Sequence, residues 1–165
     1  MIARIFRHLV LPDWWRRRYL PESALRRVQA SVAAAEAGHG GEIRVAVEAS
    51  LDLPTLLRRT TARQRAIEVF SRLRVWDTEE NNGVLLYVLL ADHDVEIVAD
   101  RGIARQVAQA EWEAICQEME VLFRADRQEE ALLTGARRIG AILAAAYPAG
   151  EKRSNQLPDR PAIVK

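Results

Sequence analysis

The chain has 165 residues, of which 49% are hydrophobic and 28% charged, the proportions of a globular domain long enough to bury one full core. Its 24 basic and 23 acidic residues leave a formal net charge of +1, which excludes a strong global field and the pull toward nucleic acid that would come with it. One cysteine, Cys116, excludes an internal disulfide, and one cysteine with three histidines lacks the ligand spacing of a zinc site.

Residues 1–20 form a basic amphipathic arm. Ile2, Ile5, Phe6, Leu9 and Val10 recur at helical spacing between Arg4, Arg7 and His8, until Pro12 stops the pattern and Trp14, Trp15 and Arg16 to Arg18 follow. Nothing here has the continuous apolar length of a signal peptide or a membrane span, so the expected location is the cytoplasm. Two readings of the arm stand side by side. It makes weak contact with the inner membrane face and a membrane-associated partner, or its apolar face packs on its own domain or on a second copy.

The domain proper is expected over residues 21–148. Pro21-Glu22-Ser23 opens a helix with Leu25, Val28, Val32 and Ala35 on one face, and Gly38 to Gly41 closes it, with His39 expected as an exposed turn residue. Glu42 to Ser50 alternates with period two, a strand whose two charges on one face place it nearer an edge. Thr61 and Gln64 have capping-box spacing at the head of a helix over 61–73. Around its start, Arg58, Arg59, Arg63 and Arg65 read as a solvated face or an anion patch. Val84 to Ala91 and Val95 to Ala99 are two β-rich runs around Asp92-His93-Asp94, a hairpin whose first strand is apolar enough to be covered on both faces. Two helices follow. The first, over 110–124, turns Trp112, Ile115, Met119, Leu122 and Phe123 inward and holds Cys116 as a buried inert thiol; the second, over 127–146, turns Leu132, Ala136, Ile139 and Leu143 inward. Residues 149–165 read as a disordered tail. The order helix, strand, helix, strand, strand, helix, helix implies an α/β fold, a small mixed sheet between helical layers.

The stretch W-D-T-E-E-N-N-G-V-L-L-Y at residues 76–87, followed by A-D-H-D-V-E-I-V-A-D-R-G-I at 91–103, resembles the TPM domain family, which includes bacterial proteins and a thylakoid-lumen protein linked to photosystem II repair. The resemblance spans Leu25 to Pro148. It implies a three-layer α/β/α sandwich and carries an acid-phosphatase label. Many of the proteins it points to are exported or membrane-anchored, and this chain departs from them.

The candidate chemistry lies in loops. Asp77, Glu79, Asn81 and Asn82 are oxygen donors of the kind that calcium and magnesium take, although their spacing is not that of an EF-hand. In an antiparallel hairpin the start of the first strand and the end of the second share one end of the sheet. Asn81, Asn82 and Gly83 are therefore expected beside Asp100, Arg101 and Gly102, with Asp92 and Asp94 at the far end. The cation candidates are thus Asp77, Glu79, Asn81, Asn82 and Asp100, and Arg101 is the candidate for a phosphate or other anion. These loops are equally readable as structural: Asn82-Gly83 as a tight turn, Asp100 as a helix cap or ion-pair partner. Two functions follow from the two readings. One is an accessory or binding module that takes a divalent cation. The other is a divalent-ion-assisted phosphatase acting on phosphate monoesters, for which no nucleophile motif or P-loop is present.

Overall fold

Seven consecutive buried residues in one strand demand cover on both faces, and the run from Gly83 receives it. The computed structural model describes residues 2–10, 17–148 and 155–164. In chain order its elements are α1 (Ile2–Val10), α2 (Glu22–Glu36), β1 (Glu42–Glu48), α3 (Leu53–Leu57), α4 (Ala62–Arg72), β2 (Gly83–Leu89), β3 (Asp94–Ala99), α5 (Arg101–Ala104), α6 (Gln109–Arg124), α7 (Gln128–Ala146) and β4 (Ala162–Val164). The described strands form one mixed sheet in the order β3-β2-β1-β4. β1 is parallel to both β2 and β4, and β2 is antiparallel to β3 with Val84 opposite Ala99 and Leu89 opposite Asp94.

Alternation along the strands divides the core in two. Val84, Leu86 and Val88 of β2, with Ile43, Val45 and Val47 of β1, face the layer of α2, α6 and α7. Leu85, Tyr87 and Leu89 face the other way, onto α3, α4 and the segment around Leu157 and Val164. The protein is therefore a three-layer α/β/α sandwich. The inward stripes read from the sequence are the buried ones, with Trp112, Ile115, Met119 and Phe123 on α6 and Leu132, Ala136, Ile139 and Leu143 on α7, except that Leu122 and Cys116 are only partly buried. The capping box forms as spaced: Thr61 Oγ1 accepts from the Gln64 N–H at 3.1 Å, and Gln64 Oε1 accepts from the Thr61 N–H at 2.9 Å.

Five expectations are corrected. The C-terminal segment is ordered over 155–164 and ends in β4, so the tail reading fails there. β1 is an inner strand buried along its whole length, and the charges of Arg44 and Glu48 on one face are paired within the protein. Arg65 grips the Glu48 carboxylate with Nε at 2.9 Å and Nη2 at 2.8 Å, and the Tyr87 hydroxyl donates to the same carboxylate at 2.6 Å. Arg44 donates to the main-chain oxygens of Pro158 and Arg160. The arginines near the head of α4 are correspondingly not all solvated, since Arg63 also reaches the Ile97 carbonyl oxygen. His39 is buried, its Nδ1 accepting from the Gly41 N–H at 3.2 Å. Finally, of the arm's described apolar face only Ile5 packs against its own domain, whereas Phe6, Leu9 and Val10 are exposed. Pro12, Trp14, Trp15 and Arg16 lie outside the described residues.

Candidate functional site

Two loops meet where β1 and β2 begin and β3 ends. Asn81 adopts φ +53°, a left-handed conformation that Asn tolerates, and this turns the chain into β2. The Thr78 hydroxyl accepts from the Asn82 N–H at 3.1 Å and closes that turn. The Asp100 N–H donates to the Gly83 carbonyl oxygen at 2.9 Å, and the Gly102 N–H to the Asn81 carbonyl oxygen at 2.9 Å. Backbone contact this close requires glycine. A Cβ at Gly102 would lie 2.5 Å from the Asn81 carbonyl oxygen, and one at Gly83 would lie 2.1 Å from that of Val75.

The side chains follow the backbone together. Arg101 Nε donates to Asn81 Oδ1 at 3.1 Å, and Asn82, buried, donates from Nδ2 to the Gly40 carbonyl oxygen at 2.7 Å. Asp100 is only 7% exposed. Its Oδ1 accepts from the Arg101 N–H at 2.7 Å and caps α5, while its Oδ2 is enclosed and has no hydrogen-bond partner among the described residues. Next to it, Gln106 Nε2 donates to the Tyr147 hydroxyl at 2.9 Å. Burial pushes the Tyr147 hydroxyl above its ordinary pKa, and the negative charges of Glu80 and Asp100 push it further.

Hydrogen bonds thus join Asn81 to Arg101, Asp100 to the start of β2, and Asn82 to the neighbouring Gly40 loop. Asp77 and Glu79 are exposed and stand outside this network; the Glu79 N–H is held by Gln156 Oε1 at 3.0 Å. Among the described residues no three His, Cys, Asp or Glu side chains gather closely enough to hold a metal ion by themselves. Gln106 and Tyr147 were not singled out from the sequence. Tyr147 reads there only as a helix stop, and no spacing ties either residue to the hairpin. Gln106 also lines a shallow groove of about 740 Å³ between α6 and α7 that runs away from this end of the sheet.

A family model for the TPM domain matches residues 16–142. The chain belongs to the TPM domain family.

Solved structures carry the same fold. This TPM domain is similar to BA42 from the psychrophilic bacterium Bizionia argentinensis, with 26% identity over 88% of this chain and 95% of that one and a TM-score of 0.77. It also resembles the N-terminal domain of a protein from P. gingivalis, at 17% identity, coverage of 81% and 83%, and a TM-score of 0.63. The N-terminal domain of the cg2496 protein from Corynebacterium glutamicum is similar at 14% identity, with coverage of 79% and 77% and a TM-score of 0.56. Curated proteins yield no match. Among the described residues no helix of this TPM domain is long and apolar enough to cross a membrane.

The far end of the hairpin is built differently. Asp92 accepts from Arg4 Nε at 2.8 Å and Arg7 Nη2 at 2.5 Å, and His8 Nε2 lies 3.1 Å from its carboxylate. Burial opposes ionisation of Asp92, but the contacts from His8 and Arg4 outweigh it and hold the carboxyl well below the usual carboxylate range. Asp92 is saturated by cations of its own chain, whereas Asp100 keeps an oxygen in reserve.

Proposed function

We propose that this TPM domain is a binding module that takes a divalent cation, calcium or magnesium, at the junction of loops 77–83 and 100–102, and acts with a membrane-associated partner. One observation carries the cation reading: a carboxylate oxygen of Asp100, enclosed and without a hydrogen-bond donor among the described residues. Burying such an atom unpaired is costly, so native proteins usually supply it with a donor, a water or an ion. Hard cations complete their shells with carbonyl, amide and water oxygens, which suits a place where one buried carboxylate meets Asn81 and the backbone of residues 80–82. A cation there would have Asp100 as its charged ligand. Arg101, anchored on Asn81, would hold an anionic group beside it. Asp77 and Glu79, exposed on the same loop, would raise the local cation concentration rather than coordinate directly.

The test is a calcium and magnesium titration followed by melting temperature and amide chemical shifts. Ligand that binds only the folded state stabilises it, by about 2.7 kcal/mol at a hundred times the dissociation constant. Wild type is expected to gain stability. Asp100→Asn, which keeps a capping oxygen for α5, is expected to lose the gain, and Asp94→Asn at the far end to retain it. A flat wild-type response overturns the cation site, and equal responses in the two variants overturn its location. Hydrolysis of a phosphate monoester that requires both Asp100 and the added ion would replace the module by the phosphatase reading.

A further inference from the structure

Helix α1 is attached the wrong way round for a helix that only packs. His8, wholly buried, accepts from the Leu51 N–H through Nδ1 at 2.9 Å and turns Nε2 toward Asp92 at 3.1 Å. Arg4 reaches Asp92 and the Thr60 carbonyl oxygen from the same face. The polar side of the helix therefore faces the protein. Ile5 packs inward beside Leu56, and the remaining described apolar residues face out, with Phe6 68%, Leu9 61% and Val10 56% exposed. Globular helices bury the apolar stripe and expose the charged one; here the arrangement is inverted and held by directional polar contacts. Beside α1 runs a groove of about 560 Å³ walled by Phe6, Val10, Tyr19 and Phe123. Arg7, Arg124, His93 and one acid, Asp126, also line it. On the other flank Arg59 lines a second hollow with Ile5 and Leu56. Arg17 and Arg18, next to Tyr19, are exposed as well.

We propose that this face of α1 docks on an anionic lipid surface. Apolar side chains on a short helix surrounded by arginines meet both demands of such a surface: hydrocarbon for Phe6, Leu9 and Val10, and negative headgroups for the cations around them. Charge complementarity distinguishes this occupant from a second copy, because a second copy would bring the same arginines against their equivalents. Size points the same way: three exposed apolar residues fall well short of the roughly 800 Å² per partner that a stable protein interface buries. A bilayer sets no such minimum, and an insertion this small gives weak, reversible attachment. The ion pairs to Asp92 hold α1 against the body, so the helix meets the bilayer already folded and the sheet stays on the far side of it.

The experiment is cosedimentation of the full chain with vesicles of phosphatidylcholine mixed with phosphatidylglycerol, and with vesicles of phosphatidylcholine alone. Wild type is expected to bind the mixed vesicles, to bind the neutral ones far less, and to be released by salt. Phe6→Ser combined with Leu9→Ser is expected to keep the wild-type melting temperature, since both positions are exposed, and to bind the mixed vesicles at least about tenfold more weakly. Absence of binding by wild type, or equal binding by the double variant, overturns the proposal. So does wild-type self-association that the double variant abolishes without any vesicle binding, which would make the patch a contact between copies.

Discussion

At the scale of single residues, this domain keeps several carboxylates out of water and pairs each differently. Glu48 is gripped by Arg65 and Tyr87, so its burial is offset by charge-assisted hydrogen bonds. Glu36 has less help. It accepts from the Ile43 N–H at 2.6 Å, but burial, together with Glu42 and Asp159 nearby, pushes its carboxyl up to about 8. A raised carboxyl pKa means that the folded state binds the proton more tightly than the unfolded one. Its contribution to stability is then fully present below the ordinary pKa of 4.5 and is lost as pH rises from there through about 8. Glu42, raised by burial, acts in the same direction. Glu36→Gln keeps an oxygen for Ile43 and removes the titration. The variant is expected to melt at nearly the same temperature as wild type at pH 5 and above it at pH 8.5. Identical pH slopes for the two proteins would show that Glu36 does not couple folding to protons.

At the scale of elements, attachment by polar contacts makes α1 separable from the body. Asp92 receives Arg4, Arg7 and His8, all from α1, so one carboxylate carries three of the helix's contacts, beside those of Arg4 to Thr60 and His8 to Leu51. Asp92→Asn is expected to speed amide exchange across residues 2–10 by about tenfold or more while shifting global stability by only about 1 kcal/mol, because few core contacts are lost. Exchange that accelerates uniformly through the sheet would instead make Asp92 part of the global fold. The same element shows where the sequence could and could not be read. Periodicity reports burial, so the hairpin, α2, α4, α6 and α7 were legible, and with them the convergence of Asn81 and Asn82 with Asp100 and Arg101. Orientation is not periodic information. Helical spacing located the apolar stripe of α1 but could not say that His8 would face in and Phe6 out, since that depends on Leu51 and Asp92, far along the chain. β4 was illegible for a related reason. Three residues after Pro161 have no period of their own, and the strand exists because Glu42 and Arg44 take the Leu157 N–H and the carbonyl oxygens of Pro158 and Arg160. Within the site, Gln106 and Tyr147 carry no pattern that a sequence displays.

At the scale of the whole molecule, β2 is the element on which both cores depend. Its alternate residues belong to opposite layers, so a charge on it cannot be relieved by shifting one helix. Val88 is fully buried toward α2, α6 and α7. Val88→Asp is expected to abolish cooperative unfolding or to lower stability by more than about 4 kcal/mol, the range of an unpaired buried charge. Circular dichroism and thermal melting would check it, and a soluble variant with an unchanged melting point would remove β2 from the centre. The two faces proposed above to bind ligands lie at opposite ends of this strand, the loop junction where it starts and α1 beyond where it stops.

The sheet order β3-β2-β1-β4 also has a consequence for biosynthesis. The residues that cover the outer edge of β1 are encoded far downstream: Arg44 and its partner Arg160 are 116 positions apart. While the chain is still on the ribosome, the hairpin and the helices can assemble, but the outer hydrogen-bonding edge of β1 is bare until residues 162–164 have emerged from the exit tunnel. An unpaired edge is what another nascent chain can add to. The interval between translation of β1 and of β4 is therefore the period in which this domain is most exposed to strand exchange with its neighbours on a polysome, and the speed at which the intervening residues 49–161 are translated sets its length.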